Sequence, residues 1–481
     1  MQPGKAKSVG GLIDAAVRGE LSRAQGLRLC KDNPEVIILA LLAAGKRIAE
    51  QEVVIAGLQE QTHGTVPSPS TPSGMVPIYT KPNTPKRRKK PGARQGHPGH
   101  RRKTPERIDE RETHRLKRCP HCDGRLQRCQ RSRRRIIEDI PEEIQPVVTE
   151  HTIHRDYCPQ CKKHVEPVVP DALPHATIGH HLNALTSWLH YGLGVTIDQI
   201  VDILGYHLQT KLTPGGLIGG WRQLSEILLA WYEQIAEEAK NSAYLHADET
   251  GWRINGQGCW LWCFTNDRNC YYMIEYCRGS PVLQKFFTEA FEGVLITDFW
   301  AAYDSVDAGD RQKCLPHLLR ELEKVDLRND SAEWQAFAKK LRRLLRDGIR
   351  LRKRPDFAPG KFQSRVDRLN ARLAKLAGEE PIDDDTRRLT KRLRKYAEFL
   401  FTFLDYPNVP HDNNFGERQI RPAVILRKNS QSNRSDRGAA TQAVLMSVYR
   451  TLKLRGLNPT QTIADALKTY LTTSQLPPLP V

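Results

Sequence analysis

The stretch that most limits the possible folds runs from residue 243 to residue 320. Its apolar pattern reads as strands over 243–248, 259–265 and 270–276, separated by the turn signals Asn255-Gly256 and Asn266-Asp267-Arg268-Asn269. Ser280-Pro281 opens a helix expected over 280–291, and a strand over 294–298 follows Gly293. A short helix near 301–306, a strand over 312–315 and a helix from His317 complete the run. Three strands in a meander, then strands alternating with helices, make a mixed α/β sheet with parallel crossovers.

That order matches a ribonuclease-H-like topology, in which the first and fourth strands are neighbours. Asp248 and Asp298 each close one of those strand-like runs, so they are expected side by side. A third acid, Glu417, lies in a helix-like run with Asn413 and Arg421 on the same face, and Pro422 is expected to end that helix. Arg427 and Lys428 follow, suited to strand phosphates. Three convergent carboxylates can hold two divalent ions about 4 Å apart, an arrangement used for displacement at phosphorus in nucleic acid. Hard oxygen ligands favour Mg2+ (or Mn2+). Glu249 is expected to point away from Asp248 on an extended chain, and Asp304 to sit on the short helix.

The chain has 481 residues and a net charge of +19, which favours a polyanionic partner, DNA or RNA. The N-terminus carries no secretory signal pattern, and the longest apolar stretch, 36–44, is too short for a bilayer, so no membrane association is expected. Residues 1–62 form an N-terminal helical segment whose stripe (Ile38, Leu41, Leu42, Ile48, Val54, Ile55, Leu58) suits either self-association or a small local core. Residues 63–113 are a linker, Pro-rich and then basic. Its run 86–103 holds nine Lys or Arg, including Arg87, Arg88, Lys89 and Lys90, and no acid, and reads as a DNA-tracking arm.

Cys119-Pro-His-Cys122 and Cys158-Pro-Gln-Cys161 provide four thiolates for one structural Zn2+ within a zinc-ribbon-like domain over 114–170. His121 and Cys129 remain alternative ligands. Strands are expected over 134–140 and 147–154 to fill the long gap. Residues 171–240 read as a helical pre-catalytic region, a buttress in preference to a helix-turn-helix because the presumed reading helix carries few basic residues. Residues 241–320 are the first part of the core, 321–405 an all-helical insertion, 406–460 the C-terminal part of the core, and 461–481 a last helix and tail.

Several motifs occur in one order along most of the chain. They are Arg94-Gln-Gly-His-Pro-Gly-His100, the paired CxxC knuckles, His246-Ala-Asp-Glu-Thr-Gly-Trp252 and Thr297-Asp-Phe-Trp-Ala-Ala-Tyr-Asp304. Cys314-Leu-Pro-His-Leu-Leu-Arg320, Asn413-Asn-Phe-Gly-Glu-Arg-Gln-Ile-Arg-Pro422, Arg427-Lys-Asn429 and Gly456-Leu-Asn-Pro459 continue the series. Together they resemble the DDE transposases of the insertion-sequence sixty-six (IS sixty-six) family. Two segments depart from that pattern. Residues 429–438 lack an aromatic residue, and Pro459-Thr-Gln-Thr462 stands where Pro-x-x-Tyr-Leu is common.

The resemblance implies Asp248, Asp298 and Glu417 as the catalytic triad, magnesium as cofactor, and cut-and-join chemistry at terminal inverted repeats and target DNA. It implies that His317 and Arg320 position DNA or the attacking water. It also implies a bacterial, cytoplasmic, nucleoid-associated protein, acting as a homo-oligomer on DNA and alongside accessory proteins encoded by the same element. The competing expectations are a ribonuclease-H-like nuclease that cuts without joining, and an inactive DNA-binding regulator.

Overall fold

The computed structural model describes residues 105–127, 134–141, 144–354 and 359–481, with scattered positions between Glu35 and Gln51. The chain divides into two compact units, 1–81 and 82–481. In the first, the described positions between Glu35 and Gln51 are helical, and Ile38, Leu41, Leu42 and Ile48 are exposed. The remainder of that expected apolar stripe, Val54, Ile55 and Leu58, lies outside the described residues, as do Cys129 and the basic arm with Arg87, Arg88, Lys89 and Lys90.

The second unit opens on a small antiparallel hairpin, β1 (Asp156–Cys158) and β2 (Lys163–Val165). Strands expected over 134–140 and 147–154 do not form. Both stretches are irregular and mostly exposed, with Val147 and Val148 facing solvent, so their β-branched pattern finds no partner strand to pair with. Four helices follow: α1 (His180–Ser187), α2 (Ile197–His207), α3 (Pro214–Ile227) and α4 (Leu229–Lys240). Thr196 caps α2 with a full capping box, and Thr213 caps α3 ahead of Pro214. The helix expected near Trp221–Ala239 is two helices that break at Leu228. Trp221, Leu224, Trp231 and Ile235 are buried in the main core.

The central sheet has five strands in the order β5-β4-β3-β6-β7. These are β3 (Tyr244–Ile254), β4 (Gln257–Thr265), β5 (Cys270–Glu275), β6 (Phe291–Thr297) and β7 (Ala308–Lys313). The meander β3-β4-β5 is antiparallel, whereas β6 and β7 run parallel to β3. Asn255 and Gly256 both have positive φ, the conformation a tight two-residue hairpin needs. Alternation along β4 sends Leu261 and Cys263 into one core cluster and Trp262 and Phe264 into another on the opposite face.

Strand β3 is longer than its apolar run. Pairing with β4 carries it through Glu249–Ile254, so Asp248 lies within the strand and not at its end. Strand β7 begins earlier than expected and is polar, because it is an edge strand paired only with β6. A Cβ at Gly309 would come within 2.6 Å of the Glu292 carbonyl, so glycine lets β7 approach there.

Between β5 and β6 lies the short α5 (Ser280–Phe286). After β7 come α6 (Leu315–Asp326), α7 (Ala332–Arg352), α8 (Pro359–Ala377) and α9 (Asp384–Tyr396), which share a core of Leu, Phe and Trp334 that also takes in Val294 and Ile296 of β6. The chain returns to the sheet with α10 (Asn414–Ser430) and α11 (Asp436–Leu454), and α12 (Pro459–Thr473) then packs against α1. Pro422 does not end α10, contrary to expectation. It removes one N–H, but Ile420, Ala423 and Leu426 remain buried on either side of it, and that packing carries the helix through.

Candidate active site

The parallel pairing of β3 with β6 fixes the first two acids. Tyr244, Leu245 and His246 stand opposite Val294, Leu295 and Ile296. Carried two residues further, the same register brings Asp248 level with Asp298, at the point where β6 gives way to a loop. Asp298 Oδ1 accepts from the Trp300 backbone N–H at 2.8 Å, and Asp248 Oδ1 from that of Glu249 at 3.0 Å.

Asn413 anchors the third acid. This residue is 1% exposed and sits at the N-cap of α10. Its Nδ2 donates to the Ala247 carbonyl at 2.9 Å, which leaves Oδ1 to accept from His246 Nδ1 at 2.8 Å. Its backbone N–H points at Cys314 Sγ, 3.2 Å away, and its carbonyl accepts from the Glu417 N–H at 3.0 Å. One side chain thus ties the start of α10 to the two residues before Asp248. A Cβ at Gly416 would meet Asn413 Oδ1 at 2.8 Å, so glycine permits the close approach. Asn413 does not share an exposed face with Glu417 and Arg421, and its burial removes it from DNA contact.

Burial and then the carboxylates of Glu249, Asp298 and Glu417 push the Asp248 carboxyl well above its ordinary range. Glu417 Oε1 accepts from Arg320 Nη2 at 3.0 Å and lies 3.7 Å from His317 Nε2. The expected positioning pair therefore meets the third acid directly. Among the described residues, the one group of three possible metal ligands drawn within 4.8 Å is Cys314, His317 and Glu417, and it does not include Asp248 and Asp298. Burial holds the Cys314 thiol up at about 12, so it stays protonated at neutral pH and serves as an acceptor for Asn413 rather than as a ligand. Burial, and then Arg320, lowers the pKa of His317.

The donor set suits a hard divalent cation: carboxylate oxygens that repel one another, one of them disfavoured as an anion. Such a cation would be held by Asp248, Asp298 and Glu417.

Two neighbouring networks escaped the sequence reading. Glu249 is nearly buried, its charge bears on Asp248, and it accepts from Arg278 Nε at 3.1 Å, from Arg278 Nη2 at 2.7 Å and from the Tyr303 hydroxyl. The Arg278 guanidinium is stacked between Trp260 and Trp300, at 4.4 and 4.1 Å. On the other side, Lys313 is fully buried and donates to Thr297 Oγ1 at 3.0 Å and to Asp304 at 3.3 Å. Asp304 also accepts from Lys395 and from Tyr396, each at 2.7 Å, which ties the short helix after Asp298 to the end of α9. The signal available in the sequence was the Trp-rich setting of Arg278 and the polar Lys313 closing β7.

The basic residues expected on DNA divide. Arg427 donates to Thr250 Oγ1 at 3.2 Å and to the Gly251 carbonyl, so it supports β3 and is not free for a phosphate. Arg421 and Lys428 are exposed on α10.

Each cysteine pair forms its own knuckle. A residue with left-handed φ follows the second cysteine in both, Asp123 at 53° and Lys162 at 54°. Backbone N–H groups lower the thiol pKa at both first cysteines: those of His121 and then Cys122 act on Cys119, and that of Cys161 acts first on Cys158. The two pairs are not gathered into one four-sulfur cluster.

A mixed sheet carrying paired aspartates, with a glutamate helix returning beside them, defines a class of α/β proteins with an acidic centre. The family described as "Transposase IS66 family" matches residues 175–441, and this chain belongs to it. Two similar proteins come from Sinorhizobium fredii (strain NBRC 101917 / NGR234). The uncharacterized protein y4qI is 26% identical over 271 residues, 49% of each chain. The uncharacterized protein y4jD is 32% identical over 100 residues, 21% of this chain and 20% of its own. The match therefore spans about half the length of the first relative and a fifth of the second. Among the described residues, no helix is long and apolar enough to cross a membrane.

Proposed function

We propose that this protein is a DNA transposase with a ribonuclease-H-like catalytic core, which cleaves and joins strands at insertion-sequence ends. The observation that carries the reading is the common level of Asp248 and Asp298 on adjacent parallel strands, with Glu417 tied to the same strand through Asn413. Membership in the IS66 transposase family supports it. In this reading Asp248, Asp298 and Glu417 hold two Mg2+ or Mn2+ ions, which when bound supply an activated oxygen nucleophile and charge neutralisation at the leaving oxygen. The chain's own groups do the rest. Asn413 and His246 set the position of Glu417, Lys313 and Thr297 steady the strand end at Asp298, and Arg320 stands ready for a strand phosphate once it leaves Glu417.

The two knuckles, Cys119 with Cys122 and Cys158 with Cys161, take one structural Zn2+ when drawn together, and so present the ribbon domain to DNA. The protein acts as a homo-oligomer on paired DNA ends in the bacterial nucleoid, with accessory proteins of the same element.

The test uses labelled duplexes carrying the element's terminal repeats, with Mg2+ or with chelator. Strand cleavage and joining by wild type, and unchanged duplex affinity without chemistry for Asp298→Asn, are expected. Loss of binding in that variant would refute the separation of binding from chemistry. Cleavage without joining would favour a nuclease.

A further inference from the structure

The helical insertion carries a second feature that the acidic centre does not use. Residues 332–377 contain fourteen Lys or Arg and four Asp or Glu, a large share of the chain's net +19 in one short segment. Their arrangement is regular. On α7 and its C-cap, Lys339, Arg343, Arg346, Arg350 and Lys353 follow spacings of 4, 3, 4 and 3, and all five are exposed. On α8, Lys361, Arg365, Arg368, Arg372 and Lys375 repeat the same spacings and are exposed too.

Such spacing places each set along one side of its helix. On α7 the stripe lies opposite the buried line Leu341, Leu344, Gly348 and Leu351. On α8 it occupies one flank of the buried line Val366, Leu369, Leu373 and Leu376, whereas the other flank carries Gln363, Asp367 and Asn370.

The two stripes adjoin at Asp347. Its carboxylate accepts from Arg372 of α8 at 2.9 Å and lies 4.0 Å from Arg343 and 3.9 Å from Arg350 of α7. One carboxylate shared among three guanidiniums leaves that junction positive. Arg343 and Arg350 keep 81% and 72% of their side chains exposed. The face therefore offers a cation about every 5 Å along each of two adjacent helices, for side chains long enough to span neighbouring backbone phosphates.

We infer that the α7–α8 face is a docking surface for the sugar-phosphate backbone of duplex DNA, read without regard to sequence. The inference rests on the transposase reading for the identity of the polyanion. It adds a site 84 or more residues along the chain from Asp248, on helices that pack through one core against β6, the strand that leads to Asp298. The insertion would grip DNA flanking the point of chemistry.

The experiment measures binding of the full-length protein to a fluorescent duplex of unrelated sequence across a salt series. One variant carries Lys339→Gln, Arg346→Gln and Lys353→Gln on α7 and its C-cap, and the other Lys361→Gln, Arg368→Gln and Lys375→Gln on α8. Either alone suffices if its partner fails to fold, as judged by its melting temperature. Each is expected to weaken binding about tenfold at low salt and to reduce the steepness of log Kd against log salt by roughly two to three, close to one for each phosphate no longer neutralised. Unchanged affinity and steepness in a folded variant would overturn the inference while leaving the transposase reading intact. A loss seen with single-stranded RNA and not with duplex DNA would overturn it as well. Wild type that binds no duplex at low salt and makes no junctions from a donor element would overturn both.

Discussion

Asp248 shows what a single residue in this site costs the fold. Its carboxylate is disfavoured by burial and by three other carboxylates, so the folded state holds a proton there more tightly than the unfolded chain does. Stability linked to this group is present at low pH and is lost as pH rises from the ordinary aspartate range through the raised folded value. At neutral pH the repulsion persists until a cation relieves it. Asp248→Asn should therefore raise the melting temperature of the chelator-treated protein while abolishing strand cleavage. An unchanged or lower melting temperature, read by calorimetry in chelator, would contradict the repulsion. Asp248, Asp298 and Glu417 stand out in the sequence as candidate acids, because each lies in a short distinctive motif. The role of Asn413 was not. In the run His411-Asp-Asn-Asn an asparagine looks like a solvated cap, and only the approach of α10 to β3 buries it.

Among the elements, α10 and β3 form the joint on which the site depends. Removing the Asn413 amide strands the Ala247 carbonyl and His246 Nδ1 in the core. Asn413→Ala should cost about 2 kcal/mol or more in denaturant unfolding, and should impair cleavage as well. Glu417→Gln, by contrast, should abolish cleavage with little change in stability. Equal stability in the two variants would remove Asn413 from its anchoring role. His246 adds a pH dependence. Burial, which outweighs the Asn413 hydrogen bond, lowers its pKa to about 4, so the unfolded chain takes up the proton first. Stability should therefore fall as pH drops from about 6.5 towards 4, by up to a few kcal/mol, and level off below. His246→Gln should flatten that slope. At this scale the sequence misled where tertiary packing overrides local signals. Pro422 reads as a helix end but is carried by buried neighbours, and the apolar alternation over 147–154 reads as a strand but has no partner.

Across the whole molecule, the sheet order was legible because turn chemistry and alternation agree along 243–313, down to the paired positive φ at Asn255 and Gly256. The boundaries of β3 and β7 were not, since their pairing extends through polar residues. The basic stripes of α7 and α8 were present as a 4-3 periodicity, but their adjoining at Asp347 needs the fold. Division of labour between parts should be visible in metal removal. A zinc-selective chelator should weaken binding to terminal-repeat DNA while the melting transition of residues 171–481 persists. Unchanged DNA binding after verified zinc loss would remove the cysteine knuckles from DNA recognition.

The most direct measurement places the native element, with its flanking DNA and neighbouring reading frames, on a donor plasmid. New junctions in a recipient replicon are counted for wild type, Asp248→Asn, Asp298→Asn and Glu417→Gln. Junctions from wild type alone, with all three variants folded and still bound to DNA, are the expected result. Junctions that persist in any one of the three variants would contradict a single catalytic centre built from these acids.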